Sequence, residues 1–141
     1  MIKIYTDGSC IGNPGVGGWG AIIIMDGKKI KIKGNKTNTT NNQMELIAPI
    51  KALKKIPNNS AVQIFTDSKY VKMGITEWIK KWSQNDWKTS SKQKVKNIEL
   101  WKELNDISKK HKIEWHWVKA HAGDAFNEEA DELAKKAASL N

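Results

Sequence analysis

The sequence predicts an α/β domain organised around two strands that are each followed by an aspartate. Residues 2–5 alternate apolar with polar side chains, as a half-buried strand does, and Asp7 and Gly8 follow. A second apolar run, residues 61–65, leads into Asp67 through the same order of aromatic, Thr, Asp and small residue. Single aspartates after strands commonly form turns, but the repetition favours a shared site. Parallel neighbours in an open α/β sheet would bring Asp7 and Asp67 together at the carboxyl ends of their strands.

An antiparallel meander is predicted next, after a first strand that we expect to end at Gly8. The glycine-rich residues 15–20 match the dinucleotide fingerprint, but a strand, residues 21–25, follows them instead of the helix that a pyrophosphate needs. We therefore interpret them as a loop that lets another backbone approach closely. Asp26-Gly27 predicts a two-residue hairpin, and the Lys/Ile alternation of residues 29–33 predicts a strand whose lysines protect a sheet edge.

The first helix is predicted from about Met44 to Ile56, after the polar segment 34–42 with its N-cap residue types. Glu45 would lie in the first turn, where the helix dipole stabilises an acid, and this structural role alone would account for it. Pro49 removes a backbone donor and crowds the carbonyl of Glu45, so a kink is expected there.

The second half of the chain reads as strand, helices, strand and helix. Strand four ends at Asp67, and strand five covers residues 113–118. A loop carrying His121 leads to the last helix, which begins near Ala125 and has Asn127 and Asp131 one turn apart on its flank. The intervening elements are helical segments at 69–74 and 76–82, a polar lysine-rich loop at 83–96 and an amphipathic helix at 97–109.

Composition predicts one domain, residues 1–141, with a polyanion as its partner. The net charge is +9, and all 24 basic residues are lysines. Residues 69–96 hold eight of them against two acids, together with three tryptophans. A solvated lysine-rich surface is the alternative, which the tryptophans argue against. The single cysteine suits a reducing compartment, and neither a leader nor a membrane span is apparent, so we expect a cytoplasmic protein.

Four acids stand on four different predicted elements: Asp7, Glu45, Asp67 and Asp131. Ligands that are all oxygen suit Mg²⁺ or Mn²⁺ and not Zn²⁺. Two such ions about 4 Å apart form the usual clamp for in-line phosphoryl displacement. The acids therefore predict a site for cations of the kind used in phosphoryl displacement.

Five stretches match one known family in order and in register. They are Tyr5-Thr6-Asp7-Gly8-Ser9, Gly12-Asn13-Pro14-Gly15, residues 40–46, Phe65-Thr66-Asp67-Ser68, and residues 118–123 with 127–131. By these stretches the sequence is identified as a member of the type 1 ribonuclease H family, in its bacterial single-domain form. The resemblance implies a five-stranded mixed sheet, three antiparallel strands and then two parallel ones, with flanking helices. It also implies a monomer that cleaves the RNA strand of RNA–DNA hybrids. Asp7, Glu45, Asp67 and Asp131 would hold two Mg²⁺ ions, which Mn²⁺ can replace, and His121 would be a mobile proton shuttle.

The resemblance also implies the substrate contacts. Backbone and amide groups of the Cys10–Asn13 loop and of Asn41 and Asn42 would read 2′-hydroxyls. Thr40 and Asn97 would hold a DNA phosphate. Residues 69–97 match a basic protrusion whose lysines, among them Lys80, Lys81 and Lys88, neutralise phosphates while Trp78 and Trp82 meet DNA sugars. These two tryptophans could equally pack the protrusion onto the body.

Three departures from the family pattern stand out. Lysines replace arginines, Asp124-Ala125-Phe126 replaces a more polar segment after the histidine loop, and Pro49 interrupts the first helix. Two rival functions remain: a hybrid-binding module without catalysis, and a DNA-directed nuclease of the same fold. The intact acids argue against the first, and the segments expected to read 2′-hydroxyls argue against the second.

Overall fold

The structure is a computed structural model that describes residues 1–89, 91–119 and 125–139. In these ranges the strands are β1 (Ile2–Ile11), β2 (Gly15–Met25), β3 (Lys28–Thr39), β4 (Ala61–Thr66) and β5 (Lys112–Trp117). The helices are α1 (Asn41–Lys54), α2 (Lys69–Met73), α3 (Ile79–Gln84), α4 (Ile98–Ser108) and α5 (Ala125–Ser139), with a π-helical turn, Gly74–Trp78, between α2 and α3. No helix in the described part of the chain is long and apolar enough to cross a membrane.

The strands form one mixed sheet in the order β3-β2-β1-β4-β5. β1 pairs with β2 and β2 with β3 in antiparallel fashion, whereas β4 runs parallel to both β1 and β5. The predicted meander, the edge position of the lysine-rich strand and the two parallel strands are therefore confirmed. β1 lies at the centre, so its side chains meet helices on both faces of the sheet.

Alternate residues of β1 belong to two different apolar clusters. Ile4 packs with Leu46 of α1 in the larger cluster, which also buries Trp101 of α4. Tyr5 packs with Ala130 of α5 in the smaller cluster. Because successive side chains of a strand point to opposite faces, α1 and α5 cover opposite sides of the sheet.

The glycine-rich segment is part of β2, so the prediction of a loop there was wrong. The predicted close approach of another backbone is confirmed, because a Cβ at Gly18 would overlap the backbone of Ala134 and one at Gly20 would lie 2.6 Å from Leu133 Cβ. Glycines thus let α5 lie directly on the sheet, while the strand keeps its ladder of hydrogen bonds to β1.

Two predicted strand ends were also wrong, and one physical reason explains both. β1 continues past Gly8 as far as Ile11, which pairs with Val16, and the polar segment from Gly34 extends β3 to Thr39. The long β1–β2–β3 pairing supplies backbone partners that residue types alone do not reveal. Asp7 nevertheless lies where the parallel pairing of β1 with β4 stops, since the last pair is Tyr5 with Phe65.

The first helix begins earlier than predicted. Thr40 is its N-cap, and the hydroxyl of Thr40 accepts a hydrogen bond from the Gln43 amide at 3.2 Å. Glu45 consequently lies beyond the first turn, so the dipole explanation for this acid was wrong. Pro49 is buried inside α1, which continues to Lys54.

Helical turns run without a break from Lys69 to Gln84, the first part of the basic protrusion, where two separate segments were predicted. The π-helical turn carries the chain from α2 into α3. Gly74, the first residue of that turn, packs directly against the ring of Trp101. A Cβ at Gly74 would overlap that ring. The absence of a side chain at this position therefore lets the protrusion helix pack on α4, and π turns of this kind often occur at functional sites.

Candidate active site

Three of the four predicted acids converge at the carboxyl end of the β1–β4 pair. Ligand oxygens of Asp7, Glu45 and Asp67 all lie within 4.8 Å of one another. Asp7 and Asp67 come together because their strands are parallel neighbours in register. Glu45 joins them from α1, which approaches β1 so closely that a Cβ at Gly8 would lie 2.6 Å from the Glu45 amide nitrogen.

Burial and mutual repulsion dominate the electrostatics of this cluster. The Asp7 side chain is buried, and this burial, followed by the charge of Asp67, raises the pKa of Asp7 to about 8. The pKa of Glu45 is also raised, first by burial and then by the charges of Asp7 and Asp67, against a smaller lowering by the Asn41 amide. Such carboxylates resist ionisation unless a cation lies among them.

The donor set fits a divalent metal ion. Among the described residues Glu45 Oε2 is buried without a hydrogen-bond partner, although a buried carboxylate oxygen is costly to leave unsatisfied. The ligands within reach are all carboxylate oxygens, which Mg²⁺ and Mn²⁺ prefer. A cation bound among these carboxylates would give the Glu45 oxygen a partner, and it would remove the repulsion that helps to raise the pKa of Asp7.

Asp131 stands beside this cluster but outside the group of three. It projects from α5 with 18% of its side chain exposed, and its Oδ2 lies 3.0 Å from Nζ of Lys135, one turn further along the helix. A hydrogen bond and the charge of Asp131 both contribute to the raised pKa of Asp7, so the two carboxyl groups are adjacent. The fold thus brings the fourth acid to Asp7 and pairs it with a lysine.

Two residues of interest near the last helix cannot be placed. His121, the predicted proton shuttle, and Asp124, part of the departure from the family pattern, both lie outside the described residues. The role of His121 therefore stays a prediction.

The two segments predicted to read 2′-hydroxyls are joined by a hydrogen bond. Asn13 Oδ1 accepts from the backbone amide of Asn41, the first residue of α1, at 3.0 Å. Asn42 is exposed beside them. Cys10 is a free thiol near the carbonyl oxygens of Gly12 and Thr39, at 2.8 and 3.5 Å. The loop and the helix start therefore form one surface next to the acids.

Thr40 and Asn97, the predicted phosphate contacts, belong to a connected polar network. Asn97 adopts a left-handed backbone with φ of 60° just before α4, and its Oδ1 accepts from Gln43 Nε2 at 3.1 Å. Asn97 Nδ2 donates to the hydroxyl of Tyr70 at 3.0 Å, and Trp101 Nε1 donates to the same oxygen at 3.0 Å. The Asn97 amide is thus held by the protein itself, which fixes the start of α4 relative to α1.

Trp78 and Trp82 pack the protrusion onto the body, which was one of the two roles predicted for them; contact with DNA sugars was the other. The centroids of their rings are 5.7 Å apart, and the ring of Trp82 contacts that of Trp101 edge-on with 5.7 Å between the centroids. Both tryptophans remain half exposed and line a groove together with Lys81 and Lys88. Packing and substrate contact are therefore compatible, because both tryptophans contact Trp101 of the body and also line this groove.

Sequence reasoning overlooked Gln43, Tyr70 and Lys135. The spacing of Asp131 and Lys135, four residues apart on a helix, was a readable signal for the ion pair. The network joins Asn97 to Gln43, 54 positions away in the sequence, and to Tyr70, 27 positions away. A local sequence pattern does not predict contacts between residues so far apart.

The mixed sheet with clustered carboxylates at its carboxyl edge defines an α/β protein whose site is built to hold divalent cations. The chain matches the family model described as RNase H over residues 1–139. It is 57% identical over 136 residues to a ribonuclease H of Wolbachia sp. subsp. Drosophila simulans (strain wRi), covering 96% of this chain and 94% of that protein. The chain therefore belongs to the RNase H family, and it is an enzyme.

Other relatives and solved structures agree. The ribonuclease H of Bartonella quintana (strain Toulouse) is 53% identical over 137 residues, covering 97% of this chain and 88% of the relative. LC9-RNase H1, a type 1 RNase H with the type 2 active-site motif, superposes with a TM-score of 0.86 at 33% identity, over 99% of this chain and 72% of that one. LC11-RNase H1 in complex with RNA/DNA hybrid gives a TM-score of 0.70 at 25% identity, over 99% and 98%. The predicted family and fold are confirmed.

Proposed function

We propose that this enzyme is an endoribonuclease that hydrolyses the RNA strand of RNA–DNA hybrids with two divalent cations, Mg²⁺ ions. The observation that carries the proposal is the convergence of Asp7, Glu45 and Asp67 within 4.8 Å, with Asp131 beside Asp7. The hybrid bound to the similar LC11-RNase H1 supports the choice of substrate. Mn²⁺ can serve in place of Mg²⁺, because both prefer the same oxygen ligands.

The four carboxylates would hold the cations, which supply a positioned water and a stabilised leaving oxygen when bound. Asp7 and Glu45 come from rigid elements, a central strand and a helix packed against it, so their oxygens are fixed before substrate arrives. Asp131 would change its partner from Lys135 to a cation. His121 would move a proton near the leaving group, since a histidine titrates near neutral pH.

Substrate choice would come from the surface beside the acids. The backbone of Cys10 and the amides of Asn13, Asn41 and Asn42 offer donors and acceptors for 2′-hydroxyls, which only the RNA strand carries. Thr40 and Asn97 would meet a DNA phosphate across the groove. Lys80, Lys81 and Lys88, exposed on the protrusion, would add phosphate contacts without reading sequence.

The protein would act as a monomer and in the cytoplasm, a reducing compartment that its single cysteine suits. Size-exclusion chromatography with light scattering at several concentrations tests the first point. A mass that rises towards twice 15.9 kDa with concentration would contradict it.

The deciding experiment compares three end-labelled duplexes of one sequence, RNA–DNA hybrid, duplex DNA and duplex RNA, with Mg²⁺ and with a chelator. Internal cleavage of the RNA in the hybrid alone, lost with chelator and in Asp67→Asn, is expected. Binding without cleavage would favour the hybrid-binding module, and cleavage of duplex DNA would favour the DNA-directed nuclease. Cleavage by Asp67→Asn at the wild-type rate would overturn the metal-site assignment.

A further inference from the structure

A second charged pocket adjoins the acid cluster, and the function proposed above does not use it. It is a concave surface pocket of about 450 Å³ beside Asp67. Three lysines and an apolar floor form the rest of its wall; the lining residues are Asp67, Ser68, Lys69, Lys72, Trp117, Val118 and Lys119. The charges of this pocket therefore change from negative to positive within one cavity.

Sheet topology explains why these lysines stand next to the acids. β5 is the parallel neighbour of β4 on the side away from β1, and the amide of Val118 donates to the carbonyl of Thr66 at 3.0 Å. Lys119 thus leaves the same carboxyl edge of the sheet as Asp67, one strand further along, and strands lie about 4.8 Å apart. Along this edge the order is Asp7, Asp67, Lys119.

The other two lysines converge on the same place from the helix that follows Asp67. Lys69 and Lys72 are three residues apart on α2, so they share one face of the helix. All three lysines are exposed, and none of them forms an ion pair with another residue of the described ranges. Three unpaired cations around one cavity attract an anion with more than one charge.

We propose that this pocket is a subsite for the RNA strand, holding one or two backbone phosphates that adjoin the scissile phosphate. The inference rests on the proposed function, which puts the scissile phosphate at the acids. The next phosphate of the same strand follows about 3.4 Å further along the helix axis. A strand that runs from the acids along this edge of the sheet would therefore bring its next phosphates to Lys119 and the other two lysines. The half-buried Trp117 and Val118 would lie against the sugars between the phosphates.

With this subsite, different groups of residues would bind the two strands of the hybrid. The Thr40 and Asn97 region and the lysines further along the basic protrusion, Lys80, Lys81 and Lys88, would take DNA phosphates. Lys69 and Lys72, at the start of the protrusion, would together with Lys119 take those of the strand being cut. Because phosphate contacts position a duplex without reading its sequence, the subsite would hold the RNA in register over the acids.

Binding measurements in an Asp7→Asn background, which prevents cleavage, test the proposal without relying on catalysis. The change is Lys69→Gln, Lys72→Gln and Lys119→Gln together. The matched control is Lys51→Gln, Lys55→Gln and Lys110→Gln, which removes the same charge from exposed positions at the carboxyl end of α1 and after α4. We expect the subsite variant to lose about tenfold in hybrid affinity and to flatten the log–log salt slope by about 1 to 2, more than the control does.

Neutral methylphosphonate linkages, placed singly at each phosphate of either strand, locate the contact. The parent protein should lose affinity at one or two RNA positions beside the cleavage site of the wild-type enzyme, and the subsite variant should be insensitive there. Equal sensitivity in variant and parent, or a difference that maps to the DNA strand, overturns the proposal. Single Lys119→Gln, outside any helix, repeats the test should the triple variant unfold. Failure of the parent to bind hybrid at all would instead refute the proposed function.

Discussion

Asp7 is the residue in which the requirements of the fold and those of the reaction conflict most directly. The residue is 4% exposed, and its carboxyl group has Glu45, Asp67 and Asp131 as neighbours. Without a cation the folded chain must either keep Asp7 protonated or tolerate repulsion among buried charges. Function therefore lowers the stability of the metal-free protein at this residue.

Neutralising this acid should stabilise the metal-free protein. Asp7→Asn removes the repulsion while keeping the size of the side chain, so we expect a higher midpoint of thermal unfolding in the presence of a chelator, together with loss of cleavage. Asp106→Asn, an exposed acid on α4, is the control and should change neither. A lower midpoint for Asp7→Asn would show that the carboxylate makes a stabilising interaction in the absence of metal.

The raised pKa of Asp7 also predicts how stability depends on pH. Burial and the charge of Asp67 raise this pKa from 3.8 to about 8, so between these values the folded protein binds the proton more tightly than the unfolded chain does. The free energy of unfolding of the metal-free protein should therefore fall as pH rises through this window, by up to about 1.4 kcal/mol per pH unit from this group. Urea unfolding with a chelator at several pH values measures it, and excess Mg²⁺ should reduce the slope. A stability that rises across the window would contradict the assignment.

His121 is predicted to matter for rate and not for binding of the cations. His121→Ala should slow turnover by roughly 10²–10⁴, the range typical for loss of a general acid or base, without abolishing cleavage. Single-turnover and steady-state rates on the hybrid separate the chemical step from release of product. His111→Ala is the control, because His111 lies before β5 with its Nδ1 accepting from the Ser60 amide. Equal rates for His121→Ala and wild type would exclude the proton shuttle.

At the scale of elements, the junction of α1 with α4 holds the expected DNA-phosphate contacts in place. Thr39 donates to Gln43 Oε1 at 2.7 Å, and Gln43 in turn donates to Asn97. One side chain of α1 therefore connects the end of β3 with the start of α4. Satisfied networks of this kind specify a single arrangement of the elements they join.

Gln43→Ala should cost about 1–2 kcal/mol of unfolding free energy, because it leaves partners of two hydrogen bonds unsatisfied. It should also raise KM for the hybrid, since Thr40 and Asn97 lose their common support. Gln84→Ala, at the exposed end of α3, is the matched change and should stay within about 0.5 kcal/mol of wild type. Urea unfolding and steady-state kinetics measure both effects, and an unchanged KM would confine the network to a structural role.

At the scale of the whole molecule, charge is distributed unevenly over the surface. Residues 69–96 carry eight of the 24 lysines, and apart from the weak contact of Lys88 with Asp86 at 4.0 Å none of these lysines has an ion pair within the described ranges. The tryptophans beneath them are packed on the body through Trp101. The protrusion is therefore a cationic surface that is anchored to the body by its tryptophans.

Replacing Lys80, Lys81, Lys88 and Lys92 by glutamine should raise KM and leave kcat nearly unchanged, the signature of lost uniform binding. The log–log salt slope should flatten by about 0.9 for each phosphate that a lysine no longer neutralises. The Mg²⁺ requirement should not move, because the chemistry occurs elsewhere. Four glutamines at Lys51, Lys55, Lys109 and Lys110 control for net charge. A lower kcat with KM and salt slope unchanged would make the protrusion part of the catalytic machinery.

Local chemistry in the sequence determined the sheet, the site and their order along the chain. Period-two alternation, Asp26-Gly27 and the repeated Thr-Asp ending identified five strands, their antiparallel start and two converging acids. These signals are readable because a strand with one buried face, a tight turn and an acid after a strand each constrain residue types within a few positions.

Only the tertiary structure decided which polar or glycine-rich segments are strands, and which side chains meet. The glycines of β2 and most of residues 34–39 lack strand propensity, but the pairing of β2 with β1 and β3 and the close approach of α5 override it. The helix start at Asn41, the network through Gln43 and the lysine pocket beside Asp67 likewise depend on contacts between distant residues. Propensity acts between neighbours in the chain, whereas these features arise from packing between elements, which a single sequence does not display.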